Sequence, residues 1–286
     1  MSIIKAILQA IGQAIAWVIP ISESGHSAVF HDFSARYTNA CSQLTGVIHI
    51  GIAIGIIVAF YKLFLQLGKT FFTEWADLFR NRRIELKETS PRRSFMYMTL
   101  LSFLPMILYA VPAGKYGNLY SVFHRMSYNG NVLGEGLCMA LLGALLFIVS
   151  TMLNKKFNPL PKWAQALIIG IIAFLAVPTA GCSVVGGVFC IGFLVGLSDK
   201  YALRYSMVVS VMVLLVTGII EICVGVTTVT FLQVIFALIF SVAVAFLAVK
   251  VFVYIVNKNF LKYIAVYDIS VGLICFVVGI FQIMVK

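Results

Sequence analysis

Charge is scarce in this chain of 286 residues: Asp, Glu, Lys and Arg make up 11% of it, against 62% hydrophobic residues. A soluble globule is excluded at that ratio, and the class is an integral membrane protein. The six cysteines (Cys41, Cys138, Cys182, Cys190, Cys223 and Cys275) lie in or beside apolar segments without metal-ligand spacing. That excludes a zinc site and a disulfide framework, and leaves them as small core hydrophobes. The run after Lys5 is interrupted by Gln9 and Gln13, and no A-x-A-like cleavage site follows it. A cleaved signal peptide is therefore not expected. No polar stretch is long enough to form a soluble domain.

Acidic residues are the rarer sign, 10 against 21 Lys and Arg, for a net charge of +11. The distribution argues against nucleic acid as the partner. Threading the chain through the membrane puts sixteen basic residues on one side, including Arg80, Arg82, Arg83, Arg92, Arg93, Lys155 and Lys156. The other side keeps Lys5, Arg36, Lys115, Arg125 and Lys286. This is the positive-inside pattern, which predicts both termini outside. The basic stretch 67–94 reads as an amphipathic cytoplasmic connection with Phe71, Phe72, Trp75, Leu78 and Phe79 on an interfacial face.

Crossing a hydrocarbon core of roughly 30 Å takes about 20 apolar residues. Six stretches qualify: 42–66, 95–113, 132–153, 205–226, 230–252 and 262–284. Two further apolar runs, 3–33 and 163–197, are split by Pro, Gly and polar residues into halves too short to span. They read as re-entrant helix pairs. The expected fold is all-α, with six transmembrane helices and two re-entrant pairs. Each half, 1–153 and 163–286, carries one pair and three spans. Three is odd, so the second half runs inverted, as in inverted-topology repeats whose sites form near the midplane.

The two breaks echo one another. Pro20, Ser22, Gly25 and Val29-Phe30 in the first match Pro178, Gly181, Ser183 and Val188-Phe189 in the second. Glu23 and His26 lie in the first break, and ionisable groups at membrane depth usually mark a site or pathway. A helix break offers free N–H groups that suit a phosphate. Ser22 and Ser24 supply hydroxyls for phosphate oxygens or for nucleophilic attack, and His26 is the natural acid, base or nucleophile. The competing role for Ser22, Ser24 and His26 is to satisfy the broken backbone. Gly181, Gly186 and Gly187 allow either close approach of a ligand or tight helix packing. Other polar residues in apolar surroundings are His49, Glu135, Glu221 and Asp268. Glu221 would line the same cavity, whereas His49 either lines it or bonds a neighbouring helix. His31, Asp32 and His124 fall at outward edges.

The run Pro-Ile-Ser-x-Ser-Gly-His, the second Gly-x-Ser-x-x-Gly break and the later Val-Gly-Leu-Ser resemble the undecaprenyl-pyrophosphate phosphatase family, linked to bacitracin resistance. The resemblance covers nearly the whole chain in its order of elements. It implies removal of the terminal phosphate of a polyprenyl diphosphate at the outer face, recycling the cell-wall lipid carrier. Ser22, Gly25 and His26 stand at motif positions, and Ser24 replaces a threonine. Gln13 takes the first place of a (Glu/Gln)-x-x-x-Glu element whose second place is Trp17. Glu23 replaces a motif serine. Gly181, Ser183 and Gly186 are kept, with Ala180 for Pro, Val184 for Arg and Val185 for Ser. Asp268 stands where some relatives have Arg.

On this reading His26, Glu23 and Ser22 carry the chemistry, while Gln13, Ser24, Gly25, Gly181, Ser183 and Gly186 bind the substrate. An Arg normally neutralises pyrophosphate bidentately, and losing such a group commonly costs about 10²–10³ in rate. A Mg2+ or Ca2+ ion on Glu23 with Gln13 or Glu221 would compensate. The partners implied are the polyprenyl (pyro)phosphate lipid and the bacterial plasma membrane, with a homodimer left open. The alternatives are a transporter or flippase of an anionic lipid on the same fold, and an ion-coupled carrier using Glu23, His26, His49 and Glu221.

Overall fold

The computed structural model describes residues 2–33, 42–81, 90–127, 131–153, 162–225 and 229–285. Twelve α-helices occupy them, with no β-strand beyond one isolated bridge between Pro112 and Asn118. The first two, α1 (Ile3–Val18) and α2 (Glu23–Phe33), flank the first break. α3 (Gln43–Ala59), α4 (Tyr61–Asn81), α5 (Pro91–Phe103), α6 (Leu119–Ser127) and α7 (Leu133–Met152) follow. α8 (Lys162–Ala176) and α9 (Val184–Leu194) flank the second break, before α10 (Asp199–Val224), α11 (Phe231–Asn257) and α12 (Leu261–Met284).

Local chemistry explains the starts and stops. Ser2, Ser90, Ser183, Ser198 and Thr230 cap α1, α5, α9, α10 and α11 by accepting a backbone N–H with their hydroxyls. At the other end of α1, Ile19 is extended, as a residue before proline must be, and Pro20 has no N–H to continue the helix.

Among the described residues, five helical segments are long and apolar enough to cross a membrane: Pro91–Ala110, in which α5 runs on as a 3-10 turn, and α7, α10, α11 and α12; α3 and α4 together make a sixth if the bent pair is one span. The protein is thus an all-α, multi-pass membrane protein. The sixth expected span, 42–66, is different. α3 ends at Ala59 and the chain turns through 94° into α4. The apolar run continues through Leu63, Phe64 and Leu65, so hydrophobicity alone does not reveal the bend. α4 leaves Tyr61, Leu65, Phe72 and Trp75 exposed along an amphipathic helix, a pattern suited to lying in an interface. The expected connection over 67–94 is helical up to Asn81 and again from Pro91, where α5 begins; residues 82–89, with Arg82 and Arg83, and the side chains of Leu78 and Phe79 lie outside those described. α4 is tied to α5 by an ion pair of Glu74 with Arg93 and a hydrogen bond from the Tyr97 hydroxyl to Glu74, 3.0 Å.

Packing is tightest where small residues face one another, since lipid supplies no hydrophobic drive between helices. α7 and α12 run along each other, with Gly136 and Gly143 set against the backbone of Gly272 and Ile269. Gly46 of α3 meets Gly218 of α10 in the same way, while Gly51 and Gly55 of α3 fit against Ser241 and Ala245 of α11. α1 also packs on α11, and α8 on α5. Both broken runs are thereby held inside a frame of long helices.

Candidate active site

The two breaks touch. A Cβ added to Gly25 would lie 2.9 Å from the Cα of Gly181, and one added to Gly186 would lie 2.9 Å from the Cβ of Pro20. Gly181 itself has a φ of +96°, which a residue with a side chain rarely adopts. Ser22 takes a left-handed φ of 64° without being glycine, at a cost of about 1 kcal/mol or more. Backbone strain of that kind persists where the surrounding packing fixes it, and Ser22 is fully buried.

Each break presents a serine to the helix that follows it. The Ser22 hydroxyl accepts from the Gly25 N–H at 3.1 Å and lies 3.4 Å from the Ser24 hydroxyl. The Ser183 hydroxyl accepts from the Gly186 N–H, also at 3.1 Å. Both serines therefore satisfy backbone, the bland role that sequence offered beside the catalytic one. The starts of α2 and α9 are brought together by the same contact, and the leading N–H groups of a helix have no partners within it.

His26 is oriented from two sides. Its Nδ1 is 2.9 Å from the Ser22 carbonyl, and its Nε2 is 2.8 Å from the Tyr267 hydroxyl of α12. A carbonyl only accepts, so Nδ1 carries the proton and Nε2 of the neutral ring accepts from Tyr267. The rings are stacked in near-parallel planes, 2° apart. Nε2 is thus the atom left for chemistry. Tyr267 was invisible in sequence, being 241 residues away in an apolar span.

Glu23 faces other neighbours. It is buried, accepts a 2.9 Å hydrogen bond from Ser27, and bonds the Gln13 side chain. His49 and Glu221 are close enough for their charges to act on it. His49 of α3 and Glu221 of α10 form an ion pair at 2.8 Å, and the Tyr120 hydroxyl donates to the other Glu221 oxygen at 2.5 Å. Trp17, in the place of the second motif glutamate, lies against His49 with ring centroids 5.1 Å apart. The structure so joins Gln13, Trp17, Glu23, His49 and Glu221, from four helices, into one buried polar cluster. His26 stands three residues along α2 from Glu23, facing α12.

The remaining polar residues divide clearly. Val184 and Val185, at the Arg and Ser positions of the motif, are buried in the apolar core. Glu135 is buried, and its carbonyl lies against Gly181. Asp268 is fully buried between α7 and α12, beside Gly143, with neither carboxyl oxygen bonded among the described residues. His124 packs on Tyr120. The side chains of His31 and Asp32 lie outside those described. For a divalent ion, Glu23 and the carbonyl of Gln13 offer hard oxygen donors, but both Glu221 oxygens are engaged by Tyr120 and His49. Among the described residues, no group of three or more His, Cys, Asp or Glu side chains is arranged to hold a metal.

The family described as "Bacitracin resistance protein BacA" matches residues 6–274. The chain belongs to that family. Three curated relatives are similar over nearly their full length. An undecaprenyl-diphosphatase of Halothermothrix orenii is 26% identical, with 98% of this chain and 100% of that protein covered. One of Methanosphaera stadtmanae is also 26% identical, covering 98% and 99%. One of Staphylococcus haemolyticus is 26% identical, covering 95% and 92%. At that identity the BacA framework is carried over while individual site positions have room to differ, as Trp17, Glu23 and Val184 do from the motif.

Proposed function

We propose that this protein is an integral-membrane phosphatase that converts undecaprenyl diphosphate to the monophosphate at the outer face of a bacterial plasma membrane, so recycling the cell-wall lipid carrier. The observation that carries the reading is the BacA match over residues 6–274, together with the two family breaks abutting at Gly25 and Gly181. The pyrophosphate sits at the facing starts of α2 and α9, whose N–H groups and dipoles favour an anion. Ser24 and the glycines give it close approach. His26 acts through Nε2 on the terminal phosphorus or on the attacking water, with Nδ1–H held by the Ser22 carbonyl. Tyr267 keeps Nε2 oriented until substrate displaces it. Glu23 is the second functional group beside His26.

A Mg2+ or Ca2+ ion belongs to the same proposal, held by Glu23 and the Gln13 carbonyl, where it would offset phosphate charge. Mg2+ commonly binds through one or two carboxylates and keeps several waters, which fits a short donor set. The inverted repeat is also part of the reading. It is supported by matching pairs, α1 on α11 and α8 on α5, and by the cross-half pairs α3–α10 and α7–α12. The orientation, with both termini outside, rests on the basic-residue distribution. The exposed apolar faces of α11 and α12, with Leu247, Tyr254, Ile274 and Phe281, are where lipid or a second copy in a homodimer would pack.

The test is phosphate release from undecaprenyl diphosphate by the purified protein, with Mg2+, with Ca2+ and with chelator. The expected result is release that falls with chelator and is abolished by His26→Ala. Well-folded protein that releases no phosphate under any of these conditions overturns the enzyme reading and leaves lipid translocation.

A further inference from the structure

α7 passes behind the point where the two breaks meet. The Glu135 carbonyl and the Cys138 Cβ lie against Gly181, the Met139 sulfur would lie 2.9 Å from a Cβ on Gly25, and Leu142 would lie 3.2 Å from one on Gly186. Those α7 residues recur at i, i+3, i+4 and i+7, which is one face of a helix. Cys138 stands within that face, and its thiol hydrogen-bonds the thiol of Cys182. Cys182 belongs to the second break itself. Its N–H donates to the Thr179 carbonyl at 2.9 Å, Gly181 before it takes the left-handed φ of +96°, and Ser183 after it caps α9. Both thiols are free and half-buried, whereas Cys190 and Cys275 are buried.

Two thiols in contact across separate elements are placed for a disulfide. Such a bond needs Cβ atoms about 3.5–4.5 Å apart and sulfurs about 2.05 Å apart. The Cys138 Cβ would lie 2.9 Å from a Cβ on Gly181, so the backbone of the break already stands within reach of α7. Closing the bond draws the sulfurs in from hydrogen-bond contact by about 1–2 Å. α7 cannot follow, because Gly136 and Gly143 hold its backbone on that of α12. Whatever side-chain rotation does not absorb therefore falls on Gly181 and Cys182, where the second break meets α2.

We propose that Cys138 and Cys182 form a redox modification site, a thiol pair that a soluble disulfide oxidises, and that the bond formed draws the second break off the first and switches the site off. The sulfur of one cysteine attacks the oxidant, giving a mixed disulfide and releasing one oxidant thiol. The other cysteine sulfur then displaces the second oxidant thiol and completes the Cys138–Cys182 bond. The pair gives up two electrons and two protons, which leave on the two oxidant thiols. A dithiol runs the exchange backwards. The orientation proposed above puts the start of α7 at the outer face, with Cys138 about 8 Å in from it, towards the oxidising side of the membrane. The inference rests on the phosphatase reading for the activity controlled, though not for the bond or for the movement it causes.

The experiment treats the purified full chain in detergent with oxidised glutathione and then with dithiothreitol. Three readouts are taken: linked peptides by mass spectrometry, turnover of undecaprenyl diphosphate, and hydrogen–deuterium exchange over residues 22–26, where the Ser22 hydroxyl holds the Gly25 N–H. We expect a Cys138–Cys182 link, faster exchange over that segment and turnover lower by about tenfold or more, since displacement near 1 Å can cost about 100-fold. Dithiothreitol should reverse all three. Cys138→Ala should keep the parent turnover and lose its sensitivity to oxidant, while Cys223→Ala should stay sensitive. If Cys138→Ala fails to fold, Cys182→Ala takes its place, read for sensitivity alone. Folded protein in which the pair does not link overturns the inference, as does an active parent whose turnover survives complete linkage. A loss of turnover on oxidation that Cys138→Ala shares overturns it too. A parent that never turns over lipid, but whose exchange follows the link, keeps the switch and refutes the phosphatase. A parent with neither turnover nor the exchange response refutes both.

Discussion

Replacing Gly25 by alanine adds one methyl group where the two breaks meet. Helix propensity favours the change, by about 1 kcal/mol for Gly→Ala in a helix interior. Packing opposes it. The new Cβ would lie 2.9 Å from the Gly181 Cα and 2.9 Å from the Met139 sulfur. The methionine can swing away, but the Gly181 Cα is backbone, pinned at a φ of +96° against the Glu135 carbonyl. Overpacking a site that cannot yield costs about 1–3 kcal/mol, so packing offsets the propensity gain and wins by up to about 2 kcal/mol. For a chain of this size that is a fall of up to about 4 °C in Tm.

The loss of activity should be larger than the loss of stability suggests. Moving the start of α2 off the start of α9 misplaces His26, and displacement near 1 Å can cost about 100-fold in rate. Gly12→Ala is the control, because a Cβ there meets nothing within 4 Å. It should be neutral or slightly stabilising through propensity alone. The assay is thermal unfolding in detergent alongside turnover, with the two variants compared directly. If Gly25→Ala matches Gly12→Ala in both, the breaks do not touch and the shared site is wrong.

Other outcomes follow from the same geometry. Ser183→Ala removes the cap on the Gly186 N–H and should cost about 1 kcal/mol, read as a lower Tm, with Ser183→Asn restoring most of it. Cys138 of α7 and Cys182 of the second break hydrogen-bond to each other, and the Cys138 Cβ lies against Gly181. Oxidation with a copper–phenanthroline catalyst should therefore join this pair before any other, seen as one crosslinked peptide by mass spectrometry; Cys190 or Cys275 crosslinking first would refute the placement. Asp268→Asn should leave the fold stable or improve it, because a fully buried carboxyl with no bonded partner among the described residues gains nothing from being ionisable. A drop of several degrees in Tm would mean that the carboxyl has a role in the α7–α12 contact.

Much of the frame was legible because membrane burial writes itself into composition. The long spans are apolar runs of the required length, and Pro20 and Pro178 announce breaks because proline ends the hydrogen-bond ladder. The bend after Ala59 was not legible. Tyr61, Leu63, Phe64 and Leu65 prolong the apolar run, and the turn is set by where α3 meets α10 and α11 and where Glu74 reaches Arg93. The site divides in the same way. Ser22, Glu23 and His26 stood out because polar groups in an apolar run are costly and therefore informative. Their partners did not. Tyr120 and Tyr267 are amphipathic residues that apolar segments hold without comment, and their hydroxyls acquire meaning only from the atoms they meet.

What the sequence determined alone was the class, the order of elements, the places where helices must stop and the residues too polar to lie there idly. Those follow from local rules: a helix needs its N–H groups, and a membrane refuses charge. What only the tertiary structure decided was pairing across the chain. Gly25 against Gly181, His49 against Glu221 and His26 against Tyr267 are contacts between residues more than one hundred positions apart. No periodicity encodes them, because they arise from how whole helices cross, and that crossing is set by small residues summed over many turns.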